Sequence, residues 1–318
     1  MFSAVLALVG AVVFGAADFF GGLAAKRLRS IVVTAAAALS GLIALLLALA
    51  VSGSTWEGSD VALGIFAGAF GVVAVALLYA CLAIGPMSIL SPLTAVVSAI
   101  APVLWGLLVD GETLPPVALA GLGVALVAVV LVGFIPGEKV VRPTARALLM
   151  AIGAGLAIGA FLIVIDQTSP GSGLLPLVMS RGTTAVVTTV IVGALVLAAV
   201  RGRRGAASVF AATGEGLGAT PSGRADLEHA TPAHPTPVPS VARAWWLAAA
   251  CGVADASANA LALLALRGGD LAIVSALTAL YPAGTILLAA VVLRERVAGV
   301  QGVGLALALV AAGMLALG

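Results

Sequence analysis

The stretch that decides the fold is Val61–Val109, "VALGIFAGAFGVVAVALLYACLAIGPMSILSPLTAVVSAIAPVLWGLLV". Its 49 residues include no Asp, Glu, Lys or Arg. A helix crossing the hydrocarbon core needs roughly 20 apolar residues, so this run suffices for two crossings. Gly85-Pro86 interrupts it near the middle, where a helix stops and the chain turns. The stretch predicts two membrane helices joined by a tight hairpin.

The whole chain has the same character. It holds 318 residues, 62% hydrophobic and 9% charged, with mean hydropathy +1.25. Soluble domains carry about 25% charged residues, so this chain cannot cover a water-facing surface. Ten spans are expected, at about 2–24, 31–52, 61–84, 88–109, 117–135, 147–166, 175–200, 244–266, 271–292 and 299–317. The first span is read as a membrane helix and not a cleaved signal peptide. It lacks a basic region before its apolar stretch, and Lys26-Arg27 follows it. Cys81 and Cys251 fall within spans and read as small packing residues.

One long polar segment, Arg201–Arg243, separates the seventh and eighth spans. It contains "ATPSGRADLEHATPAHPTPVPS", without apolar periodicity, and reads as a flexible loop. An internal repeat flanks it. A shift of 183 residues carries Gly85 onto Gly268, Glu112 onto Glu295 and Gly121 onto Gly304. Five spans per half return the chain to the opposite side, so the halves are expected to be inverted. The expected fold class is therefore all-α integral membrane, with ten transmembrane helices as two inverted five-helix repeats. The first repeat covers 1–135; the second covers 147–317 and is interrupted by 201–243. Inverted repeats are the usual build of alternating-access transporters, whose substrate site lies near the midplane.

Basic residues set the expected orientation. The loops after spans one, five, seven and nine hold 13 of the 15 Lys and Arg. Loops on the other face hold only Arg267, and Arg181 lies within a span. By the positive-inside rule the first set is cytoplasmic, which puts both termini outside.

Several chemistries lack their residues. The only histidines, His229 and His234, lie in the linker, so no membrane-embedded His is available for a metal site or a Ser–His pair. Lys26 and Lys139 are the only lysines, and neither follows a G-x-x-x-x-G run. No enzyme activity, cofactor, metal or nucleic-acid partner is expected.

Polar residues inside spans carry the functional reading. Asp255 is the twelfth residue of its 23-residue expected span and sits near the bilayer centre. Asn259 follows at i+4 on the same helical face. Such a stripe must face the bundle interior, for a site or for a structural helix-to-helix bond. Asp18, in "VVFGAADFFGG", lies towards the basic side of the first span, among Gly15, Gly21 and Gly22. Its rival reading is a carboxylate paired with Lys or Arg near the interface. Arg181 is the lone basic residue within a span and needs a carboxylate partner or an anionic ligand. Snorkelling to the outer surface is the plain explanation; Asp166, at the end of the sixth span, is a candidate partner, in a pair that could be structural alone. Tyr79, Trp105 and Tyr281 are candidate cavity aromatics, although core packing or interface anchoring is the stronger explanation of each. Glu112 and Glu295 are expected to cap the helix that follows them or to pair locally. The G-x-x-x-G matches at Gly64/Gly68 and Gly155/Gly159 are weak signals among 39 glycines.

The hairpin "GET", the segment "RERVAGVQGVGLAL" and the run "SALTALYPAGTILLAAVVLRERV" resemble the drug/metabolite transporter superfamily, EamA type. The similarity spans nearly the whole chain apart from 201–243. "ADFFGGLAAKR", "QTSPGSGLLPLVMSR" and "DASANALALLALRGGDLAIVSAL" resemble a bacterial branch, with Asp18, Arg181, Asp255 and Asn259 at their polar positions. The resemblance implies ten helices, inverted repeats and movement of small metabolites, often as export, without implying a substrate. Members of the family are commonly described with both termini cytoplasmic, from which the charge pattern here departs.

The expected function is a secondary active transporter moving a small polar metabolite across the cytoplasmic membrane, as exporter or exchanger. Protons are the candidate coupling ion, and the bilayer is the constant partner. A homodimer is left open. The expected substrate or proton site comprises Asp18, Asp255, Asn259, Arg181, Tyr79 and Tyr281. The alternative is a flippase for a lipid-linked headgroup, which needs a cavity open sideways to the bilayer.

Overall fold

The computed structural model describes residues 1–84, 87–133, 143–203, 205, 207–211, 239–292 and 298–317. Among them the chain forms helices and no strand beyond one isolated bridge. The long helices are α1 (Phe2–Ala25), α2 (Ser30–Ser52), α3 (Gly58–Ile84), α4 (Met87–Leu108), α5 (Pro116–Val132), α6 (Ala145–Asp166) and α7 (Leu175–Arg201). After the linker come α8 (Val241–Leu266), α9 (Leu271–Thr278), α10 (Tyr281–Val292) and α11 (Gly299–Leu317). With Leu271–Val292 counted as one, 8 helices are long and apolar enough to cross a membrane; Pro92–Leu108 and Pro116–Val132 are shorter and apolar. The chain is thus an all-helical, multi-pass membrane protein.

Local chemistry sets the ends. The Thr144 and Ser240 side chains cap α6 and α8, accepting from the N–H groups of Ala147 (3.2 Å) and Arg243 (3.3 Å). The Ser240 cap starts α8 at Val241, three residues before the expected span. Gly111, with φ of 71°, makes the reversal between α4 and α5. The ninth expected span is two helices. Pro282 has no N–H to continue the ladder, and the chain tightens there: the Leu280 N–H donates to Leu277 O, and the Ala283 N–H to Leu280 O.

Alanine and glycine are abundant in the interior beside buried Phe19, Leu90, Ile165 and Leu271, and many large apolar side chains face outward. Ala7, Ala118, Ala151 and Ala248 are fully buried, whereas Leu47, Leu149, Val291 and Leu309 are exposed. Lipid-solvated bundles pack this way, because close backbone approach supplies the attraction between helices. Both G-x-x-x-G matches lie at such contacts. A Cβ at Gly64 or Gly68 would meet the carbonyl oxygens of Pro176 and Ser180 at 2.6 Å, and one at Gly155 would meet that of Thr94 at 2.7 Å.

The packing partners have a regular pattern. α1 packs on α8, α9 and α10; α6 packs on α3 and α4. α2 packs on α8 and α3 on α7, while α2 with α7, α4 with α9 and α5 with α11 pair directly. Exchanging α1 with α6, α2 with α7, α3 with α8, α4 with α9–α10 and α5 with α11 leaves this pattern unchanged. The α5–α11 contact repeats it in detail. Gly121 lies against Leu315, and Gly304 lies against Val132. A shift of 183 residues carries Gly121 onto Gly304 and Val132 onto Leu315.

Candidate functional site

The polar centre of the bundle joins α7 to α8. Arg181 of α7 forms an ion pair with the Asp255 carboxylate of α8. One turn further along α8, the Asn259 amide donates to the Asp255 carbonyl (2.8 Å) and to carboxylate Oδ2 (3.2 Å). The i, i+4 spacing puts Asp255 and Asn259 on one face of α8, and α2 packs on both α7 and α8. The side chains of Arg181 and Asp255 remain 20% and 23% exposed. The two side chains are oriented towards one another and partly exposed. Asp166, the candidate partner for Arg181, is not the one it takes, and the snorkelling explanation is replaced as well: the long side chain reaches across to α8.

Asp18 is 6% exposed on α1, and α1 packs along α8. Asp255, Asp18 and Arg181 all act electrostatically on the Cys251 thiol, one turn before Asp255. Ala17 and Cys251 share one small buried cluster. Tyr281 opens α10 beside the break after Thr278; it is half-buried, and its carbonyl accepts from Thr285 Oγ1 at 3.5 Å. The Tyr79 side chain lies outside the described residues. Trp105 is exposed near the end of α4.

A second polar set ties the loops of the acidic face, and sequence reasoning missed most of it. Arg267 donates to the Thr168 carbonyl and hydroxyl and, at 3.5 Å, to Ser172 Oγ. The Ser169 N–H donates to Asp60 Oδ1 (3.0 Å), and its hydroxyl donates to Oδ2. The Thr55 N–H donates to Gly171 O at 2.9 Å. Asp166 lies among Asp110, Glu112 and Arg267 in this region. The one available signal was Arg267 itself, the lone basic residue of that face. Burial lowers its pKa against the pull of Asp166 and Asp60.

Glu112 does not cap the helix that follows it. The N–H groups of Leu271 (2.6 Å) and Ala272 (3.1 Å) donate to its two carboxylate oxygens, so it caps α9 instead. Burial pushes its carboxyl above the ordinary 4.5, and Asp270 and Asp110 add to this; the two N–H groups pull it back only in part. Glu295 lies outside the described residues.

On the opposite, basic face, the start of the linker is ordered. Residues Ala207–Phe210 form a helical turn, and Ala211 bridges to Leu28. The Arg29 N–H donates to Phe210 O at 3.0 Å, and the Phe210 and Trp245 rings lie 6.2 Å apart. This corrects the reading of the whole of 201–243 as a loop without structure. Two aromatic rings and a short backbone pairing suffice to dock five residues, a signal too short for any periodicity.

A family model described as the EamA-like transporter family matches residues 1–134 and 232–317. No curated protein matches the chain. A solved crystal structure of a protein superposes with a TM-score of 0.69 at 16% identity, covering 99% of this chain and 96% of that one. At that identity the likeness shows a shared fold alone.

Proposed function

The chain belongs to the EamA-like transporter family, within the drug/metabolite transporter superfamily, and from that membership we propose that it is a secondary active transporter of a small polar metabolite. Transport is by alternating access between two inverted five-helix halves, 1–135 and 147–317. The packing pattern that survives exchange of the halves supports this architecture. The basic face is cytoplasmic and the termini lie outside, as the loop charges argue.

The observation that carries the reading is the Arg181–Asp255–Asn259 cluster inside the spans. An ionised group in the membrane is costly and marks a pathway or relay by default. Uptake of a proton by Asp255 weakens its hold on Arg181 and frees the guanidinium for an anionic group of the substrate. Loss of that proton to the other side restores the pair and expels the substrate. Asp18, from the first half, contributes a second carboxylate near the same centre. Opening the acidic face requires breaking the ties of Arg267, Asp60 and Glu112.

The test is reconstitution into liposomes, with panels of metabolites and lipid-linked headgroups supplied with and without a pH gradient. The reading predicts flux of a small polar metabolite that responds to the gradient. Movement of a lipid-linked headgroup with no metabolite flux contradicts it.

A further inference from the structure

At the acidic face one carboxylate joins the two halves. Glu112 follows α4 in the first half. The N–H groups that donate to its oxygens, those of Leu271 and Ala272, open α9 in the second. Local backbone brings the side chain there. Gly111, with φ of 71°, reverses the chain after α4, and the Glu112 N–H then donates to Gly106 O at 2.9 Å. The carboxylate lies back over Gly106: a Cβ there would collide with Oε2 and stand 2.7 Å from the carboxyl carbon. Asp270, the residue before α9, makes no side-chain bond to the first turn of that helix, which leaves its N–H groups to Glu112. α9 itself lies inside the bundle. Its Leu271, Ala272, Val274 and Ser275 are buried, and α1 and α4 of the first half pack on it.

We propose that Glu112, seated on Gly106, is the clasp that holds the first half against α9 and sets how often the acidic face opens. The proposal rests on the alternating-access reading above, in which the halves part on the side that opens. Parting there draws the carboxylate off the α9 N-terminus. Two charge-assisted hydrogen bonds and the favourable end of the helix dipole are lost together. Asp60 also joins the halves, but its partner Ser169 lies in the loop before the short turn Pro170–Ser172. Glu112 grips the first turn of a helix inside the bundle. The seat is not repeated in the second half. The 183-residue shift carries Glu112 onto Glu295 but Gly106 onto Ala289, which is fully buried in a cluster with Phe19. Glu112 touches no substrate; it is a positioning residue that acts on the balance between closed and open states.

The experiment labels the full chain in lipid nanodiscs with a charged, membrane-impermeant thiol reagent, read site by site by peptide mass spectrometry. Two single reporters are used: Ser98→Cys on α4 of the first half and Ser275→Cys on α9 of the second, both buried in the closed protein. Glu112→Gln keeps the length of the side chain and removes its charge. Gly106→Ala keeps the carboxylate and fills its seat, and provides a second variant if the first does not fold. Each should raise the labelling rate at both reporters on the order of tenfold, the worth of a hydrogen bond to a charged group. Cys81 and Cys251, buried in the basic halves of α3 and α8, should stay protected. Unchanged labelling overturns the proposal. So does labelling at position 275 alone, which is fraying of α9, or labelling of Cys81 and Cys251 as well, which is general loosening. The readout needs no substrate. Raised labelling at both reporters without metabolite flux in liposomes therefore supports the clasp and overturns the transport reading, while flux with unchanged labelling does the reverse.

Discussion

Arg181 of α7 and Asp255 of α8 are ion-paired within the bundle, and Asn259 donates to the same carboxylate oxygen. Each charge alone costs about 2.5–3.5 kcal/mol at the centre of a membrane helix on insertion scales. Together they satisfy one another across two helices that share α2 as a neighbour. Breaking the pair by Arg181→Gln leaves the Asp255 charge without its partner and should destabilise the protein by roughly 2 kcal/mol or more. The double variant Arg181→Gln/Asp255→Asn should recover most of that loss while remaining inactive. Thermal unfolding in detergent measures both; a double variant no more stable than the single one contradicts the pairing.

The contact of α2 with α8 depends on Gly252. A Cβ there would collide with the Ala37 carbonyl oxygen and with Ser40 Oγ, whose hydroxyl donates to Ala249 O at 3.0 Å. Gly252→Ala should cost about 1–3 kcal/mol through forced separation of the helices. Gly193→Ala has nothing within 4 Å of the added methyl and should stabilise α7 by up to about 1 kcal/mol. Melting temperatures of the two variants should move in opposite directions.

Glu112 supplies a pH signature. Its folded pKa lies above 4.5 because of burial, with Asp270 and Asp110 adding. The folded protein therefore takes up this proton at higher pH than the unfolded chain does. The resulting stability is fully present below 4.5 and is lost as pH rises through the folded value. Wild type should gain stability relative to Glu112→Gln as pH falls from neutral towards 4.5. An opposite trend would mean that the α9 N–H groups outweigh burial at this carboxylate.

The linker and the orientation can be tested together. Deleting 212–238 should leave insertion and transport near wild type, because a polar sequence without apolar periodicity offers little to bury. Extending the deletion through Ala207–Ala211 removes the Phe210–Trp245 and Arg29–Phe210 contacts and should lower stability measurably. A reporter inserted in 212–238 should read as cytoplasmic and one fused at the C-terminus as external. The reverse result would place the basic face outside.

The helices were legible because charge-free runs are long and their breaks are Gly, Pro or charged residues; α7 begins at Leu175 as read and ends one residue late. The division of Leu271–Val292 was harder to see, since Pro282 within an apolar run signals either a kink or a break. Among site residues, Asp255 and Asn259 could be placed on one face from their spacing. The choice of Asp255 over Asp166 for Arg181 could not, because it depends on which helices lie beside α7 in three dimensions. Glu112 caps a helix 159 residues away, a pairing no local pattern encodes. The docked segment at 207–211 was hidden by its shortness and by the polar composition around it.

The central claim is that Asp255 carries the proton that drives transport. The most direct measurement is pH-gradient-driven flux in proteoliposomes containing wild type, Asp255→Asn or Asp18→Asn, with each variant's fold verified by its melting curve. The account predicts that Asp255→Asn abolishes gradient-driven flux, while Asp18→Asn also impairs it if its carboxylate serves the same centre. Near-normal flux by Asp255→Asn with an unchanged pH profile would contradict it.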